Sequence, residues 1–338
     1  MSASLPVAKP KDTRLAFAGC LVGFTALALG LTAVAPLAMS IGIVFLFAGP
    51  HNYVEARYFL TRLPARMGKL RGFFFFSAAG VVGLTVALPL ISRLTVWLNW
   101  SASSALGLIG IWNTALILWC TTLIWLRSKQ PPRFRADYIW PLGIGLIGLS
   151  WIQPILLPIA LVFLHPLMGL WVLDREISKR RSDWLATYRG CLLLVPCGVA
   201  VLWLVEPSAA SFSGWLEFSP GVTAQVSSHA GTHLLTGLNP NKLIATHAFL
   251  ELLHYGVWML AVPAASGRVF AEGFKSIPVM KRSKQTRRLI GWGLLLSAAA
   301  VATLWFCFAA DYETTRDVYF MIATLHVLAE VPFLLRLF

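Results

Sequence analysis

Charge is scarce in this 338-residue chain, where Asp, Glu, Lys and Arg make up 12% of residues against about 25% in soluble domains. Acidic residues are scarcest, 14 against 28 Lys and Arg. That composition excludes an ordinary soluble enzyme and a charged disordered chain alike. The cysteines Cys20, Cys120, Cys191, Cys197 and Cys307 form no Cys-x2-Cys pair. A zinc ribbon, a c-type haem attachment and a disulfide framework are therefore set aside, and the cysteines read as small core residues. No phosphate-binding loop, nucleophile elbow or His-Glu-x2-His zincin motif is present. The first fourteen residues carry no convincing cleavage site, so a retained first helix is expected rather than a signal peptide.

What the chain has in abundance is apolar sequence. Hydrophobic residues reach 57% and the mean hydropathy is +0.72. They fall in separate runs of roughly 17–25 residues, the length that crosses a bilayer as a helix. The expected fold is all-α, a polytopic transmembrane helical bundle of about ten spans. Residues 1–14 form an N-terminal tail and 15–338 a single helical domain. The spans fall near 15–31, 37–56, 73–91, 105–126, a pair over 138–173 joined near Gln153-Pro154, then 190–205, 243–265, 289–309 and 318–338. The joints at Pro36 and at Gln153-Pro154 are the weakest, and either hairpin would suit a re-entrant pair. An outer loop, Ser-, Gly- and Pro-rich, occupies about 206–242.

The net charge of +14 would suggest nucleic acid in a soluble chain. Here the cations cluster between apolar runs, so they report topology instead. With the N-terminus in the cytoplasm and ten crossings, 25 of the 28 Lys and Arg lie on the cytoplasmic side. Only Arg93, Lys242 and Arg316 fall outside. Both termini are thus expected in the cytoplasm, in what reads as a bacterial inner membrane. Arg57, Arg62, Arg66, Lys69 and Arg71, with Tyr53 and Tyr58, make a basic aromatic segment suited to anionic lipid head groups. Trp97, Trp100, Trp125, Trp140 and Trp184 sit at span ends like an aromatic belt. Asp174, Arg175 and Glu176 read as an interfacial charge cluster.

Against this apolar background the histidines stand out. Three His-x3-Glu pairs occur within spans: His51/Glu55, His247/Glu251 and His326/Glu330. His254 extends the second, so that His247, Glu251 and His254 share one helical face. His165 lies alone on another span. Ionisable side chains at such depth are costly and face the bundle interior, paired with something. Imidazole and carboxylate together suit iron, with zinc or copper less apt. Glu251-x2-His254 has the spacing used in helical-bundle metal sites, but a full di-iron pattern needs a second copy that is missing. The expected ligands are therefore His51, His165, His254 and His326. Glu55, Glu251 and Glu330 would orient the imidazoles, with His247 an outer lid or bystander. Haem or chlorophyll held by paired His is the alternative use of the same residues, and interhelical or intrahelical hydrogen bonding is the plainest one. His229 and His233, four apart in the outer loop, form a further possible ligand pair. Trp112, Asn113, Trp151 and Trp258 lie within spans, placed to line a ligand cavity or to pack the bundle.

The stretch Gly49-Pro50-His51-Asn52-Tyr53-Val54-Glu55 resembles the Gly-x-Pro-His-Gly-x2-Asp motif of the Brp/Blh family. Those are polytopic membrane β-carotene dioxygenases thought to hold one iron through histidines. The resemblance implies an iron ligand at His51, with Glu55 standing where the family has Asp; Asn52 and Glu55 depart from the motif. The functional expectation is a His-ligated iron oxidoreductase acting on a lipophilic substrate, such as a carotenoid or another isoprenoid. The alternative is a transporter, or a subunit of an energy-converting or pigment complex, with the buried His and Glu as an ion path or as haem or chlorophyll ligands. Expected partners are membrane lipids, a lipophilic small molecule and other membrane proteins, with no nucleic acid.

Overall fold

The computed structural model of the protein describes residues 10–64, 68–131, 133–206, 218–267 and 277–337. Helices are the regular secondary structure here, with no strand among the described residues. In chain order the helices are α1 (Pro10–Val34), α2 (Pro36–Arg62), α3 (Arg71–Trp97), α4 (Ala102–Ser128), α5 (Ile139–Ile152) and α6 (Leu156–Arg180). Then come α7 (Leu185–Cys191), α8 (Leu194–Leu204), α9 (Pro220–His229), α10 (Pro240–Gly256), α11 (Val262–Ser266), α12 (Lys284–Ala310) and α13 (Tyr312–Leu337). A π-helical segment, Val257–Ala261, joins α10 to α11.

Nine helical stretches among the described residues are long and apolar enough to cross a membrane. They coincide with nine of the ten expected spans. The exception is α5, whose 14 residues extend only about 21 Å at 1.5 Å per residue, short of a hydrocarbon core about 30 Å thick. Sequence punctuation explains the breaks. Pro36 starts α2 one residue after Ala35, and Gln153 caps α5 before the chain resumes at Leu156. Ser101, Ser219, Asn239 and Ser283 cap α4, α9, α10 and α12 by accepting backbone N–H bonds.

Two compact units make up the chain. The first comprises Met1–His51 and Pro166–Ala271, the second Asn52–His165 and Glu272–Phe338. The boundary falls inside two helices, and in each it lies beside a helix proline, Pro50 in α2 and Pro166 in α6. A mid-helix proline removes one backbone hydrogen bond and bends the helix.

In the first unit α10 is the central element, with all but its first three residues and Gly256 buried. Its neighbours approach closely where the sequence supplies glycine. A Cβ added at Gly169 of α6 would lie 3.2 Å from His254 Nδ1 and 3.3 Å from Trp258 Nε1. Phe17 of α1 stacks on Trp184 at 4.6 Å, so Trp184 is buried rather than part of a surface belt. Beside this pair lies an apolar cavity of about 520 Å³, lined by Phe17, Phe24, Leu170, Trp184, Leu253, Val257 and Leu260 among others. Its wall includes Val257, Leu260 and Ala261 of the π-helical segment and not Trp112, Trp151 or Trp258, which the sequence offered as cavity-lining residues. Of the expected interfacial charges, the carboxylates of Asp174 and Glu176 are buried while their arginine partners lie at the surface. Arg189 donates to both oxygens of Asp174, at 2.9 and 3.2 Å, and Glu176 accepts from Arg180 and Ser266.

In the second unit α3 and α4 pack through two indole hooks, Trp112 Nε1 to the Leu84 carbonyl at 2.9 Å and Trp119 Nε1 to that of Phe76 at 3.2 Å. The Trp119 ring fills the space a side chain at Gly80 would need. Asn113 donates to the Pro154 carbonyl at 2.7 Å, anchoring the α5–α6 turn. Arg127 is buried, its Nε donating to the Leu335 carbonyl near the end of α13. Phe59 stacks on Phe333 at 4.3 Å. Arg62 of the basic segment lies over the Tyr58 ring; Arg66 lies outside the described residues. The expected 206–242 loop is partly helical, because Pro220 and the Ser219 cap nucleate α9.

Candidate metal centre

The second unit brings together two imidazoles and two carboxylates from three helices. His165 of α6 and His326 of α13 meet edge to face, with their Nε2 atoms 3.2 Å apart. Glu330, one turn beyond His326, does not serve its own-helix histidine. Its Oε2 stands 3.1 Å from His165 Nδ1. That contact favours the proton on Nδ1 and leaves Nε2 to face His326. Glu55 of α2 is 1% exposed; a carboxylate oxygen of it lies within 4.8 Å of a His326 ring nitrogen. Glu55 and Glu330 are close enough to repel each other when charged. Among the described residues nothing hydrogen-bonds Glu55 Oε2.

Two buried carboxylates in mutual repulsion need a cation or a proton to be stable in an apolar interior. The imidazole spacing fits a cation. With bonds of about 2.1 Å, adjacent ligands stand roughly 3.0 Å apart in octahedral geometry and roughly 3.4 Å in tetrahedral geometry. The 3.2 Å Nε2 separation lies between them. The mixed nitrogen and oxygen donor set, with no thiolate, suits iron, manganese or zinc better than copper(I).

In the first unit, His51 and His254 form a second pair, rings edge to face at 5.4 Å and a nitrogen of each within 4.8 Å. Both are oriented by backbone carbonyls: His51 Nδ1 is 3.1 Å from Phe47 O and His254 Nδ1 is 3.2 Å from Pro166 O. The Tyr255 ring lies 4.2 Å from that of His51. The π-helical segment begins three residues after His254, and such wide turns recur at functional sites.

The four expected ligands therefore divide two and two between the units. Of the expected orienting carboxylates, Glu330 reaches an imidazole, but on another helix. Glu251 does not use its i+3 spacing to reach His254. Tyr255 Oη donates to it at 2.7 Å, and its other oxygen stands 3.7 Å from His247 Nδ1. Rotation by 100° per residue favours these i±4 neighbours. His229 and His233 do not share a helical face, because α9 ends at His229 and Gly231 turns the chain with a positive φ. His229 instead meets His247, centroids 5.0 Å apart, and His233 is exposed. Three participants went unread in the sequence: Tyr255, the Pro166 carbonyl and the π-helical turn. Only Tyr255, at i+4 from Glu251, carried a readable signal.

By helix length and composition this is an integral membrane protein of the polytopic helical class, with buried His/Glu sets. In comparisons with protein-family models, curated proteins and solved structures, the chain matches none.

Proposed function

We propose that the protein is a membrane-embedded metal oxidoreductase, with iron as its metal, acting on a lipophilic substrate such as a carotenoid or another isoprenoid. The observation that carries this reading is the 3.2 Å approach of His165 and His326 beside two buried carboxylates. His165 and His326 would hold the metal, and Glu330 would orient the His165 ring. Glu55 would supply the second negative charge that a divalent cation balances. When bound, iron at a His/carboxylate set supplies dioxygen activation for attack on an unsaturated hydrocarbon. The chain's own contribution is to orient the imidazoles and to keep bulk water from a site set among apolar helices. A lipophilic substrate would enter sideways from the lipid. The charge distribution favours a cytoplasmic membrane with both termini inside.

The test is turnover. Protein loaded with ferrous iron in lipid nanodiscs is given β-carotene, or a polyprenol as the non-conjugated comparison, and oxygen uptake and products are measured. Oxygen consumed in step with substrate oxidation, and lost in His165→Ala, is expected. No uptake with either substrate, despite bound iron, would remove the oxidoreductase reading. The second reading, a proton or ion path, is favoured by the same Glu330–His165–His326 contacts, which place a carboxylate and two imidazoles in series at 3.1 and 3.2 Å without a metal.

A further inference from the structure

The apolar cavity of the first unit has a polar end that the surrounding chain leaves unanswered. Trp184, on the cavity wall, is 5% exposed, and among the described residues its Nε1 has no hydrogen-bond partner. Phe17 stacks on the ring at 4.6 Å, and the Arg181 guanidinium lies over it at 4.8 Å. Arg14, next to the wall residue Thr13, has a buried Nε that is likewise without a partner among the described residues. Arg180 and Arg189 are neutralised by Glu176 and Asp174. Neither Arg14 nor Arg181 has a carboxylate partner among the described residues. At the far end of the cavity Thr25 donates its hydroxyl to the Leu21 carbonyl, so the polar demand lies at the Trp184 end.

A buried indole N–H without an acceptor is uncommon in folded proteins, and two arginines without carboxylates suit an anion with several acceptor oxygens. The dimensions of the cavity describe the rest of the ligand. Its α1 wall runs from Thr13 to Thr25, about 18 Å at 1.5 Å per residue. That is close to one leaflet of a hydrocarbon core about 30 Å thick. With a methylene taken as the size of a water, about 30 Å³, the 520 Å³ volume holds about 17 of them, one acyl chain and not two. Ala16, Cys20, Leu260 and Ala264 on the wall are exposed, so the cavity opens along its side. Arg14 stands in the first turns of α1 and Arg181 just past the end of α6, at helix ends, where lipid head groups lie. A hydrocarbon without a head group would leave the indole and both cations unanswered. A free inorganic anion would leave the apolar length unfilled.

We propose that this cavity seats one acyl chain of an anionic phospholipid. The ester carbonyl of that chain accepts from Trp184 Nε1, and the phosphate lies against Arg14 and Arg181. The second chain stays in the bilayer. The seat is built from first-unit residues alone and does not depend on the second unit's metal set.

The test is photolabelling in phosphatidylcholine nanodiscs that hold a small share of phosphatidylglycerol with a diazirine in one acyl chain. Mass spectrometry locates the labelled peptides. Label within residues 17–25 and 253–261 is expected. Added unlabelled phosphatidylglycerol should displace it, and diacylglycerol, which has the chains and esters without the phosphate, should not. Arg14→Gln with Arg181→Gln should lower the label about twentyfold, from about fivefold for each cation at a lipid surface. Trp184→Phe keeps the ring against Phe17 but removes the donor, and should lower it about fivefold. Equal displacement by diacylglycerol, or labelling at the parent level in either variant, overturns the seat. If the arginine variant does not fold, Ala16→Phe, which fills the cavity from an exposed wall position, carries the test; label kept at the parent level there overturns the seat. Metal content is expected to be unchanged in all of these variants, so the lipid seat and the metal reading fail separately.

Discussion

Replacing Glu330 with Gln should move two measurable quantities in opposite directions. Glu330 is 1% exposed, stands 3.1 Å from His165 Nδ1 and repels the equally buried Glu55. Glutamine keeps the shape and an acceptor oxygen but removes the charge. Without metal, the substitution relieves the repulsion between two buried carboxylates, so the metal-free protein should become more resistant to heat. With metal, the carboxylate that orients and polarises His165 is gone. Loss of a carboxylate that orients a ligating imidazole weakens metal binding about 10–100-fold, or about 1.4–2.8 kcal/mol. The assay pairs a chelator-competition titration with ferrous or cobaltous ion and thermal unfolding of the metal-free protein. Weaker metal binding together with a raised unfolding temperature is the expected signature. A lowered unfolding temperature with unchanged metal affinity would mean that Glu330 is only a packing partner, and would refute the reasoning.

Three further outcomes follow from other parts of the molecule. Gly80→Ala should cost about 2–4 kcal/mol, from overpacking of about 1–3 kcal/mol plus loss of the Trp119–Phe76 hydrogen bond at about 1 kcal/mol. Gly83→Ala, one turn on with nothing within 4 Å, should be neutral or stabilising by up to about 1 kcal/mol; equal effects in denaturant titrations would contradict the packing. Reporter fusions should find the N- and C-termini on the same side of the membrane, which requires α5 to cross or to thin the bilayer; opposite sides would mean nine crossings. Asp311, outside the spans, caps α13 by accepting the Thr314 N–H at 3.1 Å, and its bonds to Thr314 hold its carboxyl below the usual range. The cap is therefore complete above about pH 4 and is lost as pH falls through the lowered value. Asp311→Asn should remove that acid step from amide-exchange protection at Thr314.

Much of this architecture is legible in the residues, because a bilayer imposes length and polarity on each helix. Pro36, Gln153-Pro154 and Asn239-Pro240 mark breaks that the helices respect. The buried histidines were equally plain, since polar side chains in apolar runs have few other uses. What the sequence could not supply is which helix answers which. Glu330 looks paired with His326 by spacing and instead serves His165, 165 residues away along the chain. Trp184 sits at a span end like a belt residue, yet α1 supplies Phe17 to cover it. The π-helical turn at Val257–Ala261 leaves no mark in composition. Such features depend on inter-helix packing, which spacing along one helix does not encode.

The most direct test of the central claim is metal analysis with an optical spectrum on protein purified from lipid, for the parent and for His165→Ala and His326→Ala. The account predicts iron near one per chain in the parent, no haem Soret or chlorophyll band, and loss of the metal in both variants. Absence of metal from the parent, or full metal retention in both variants, would contradict it.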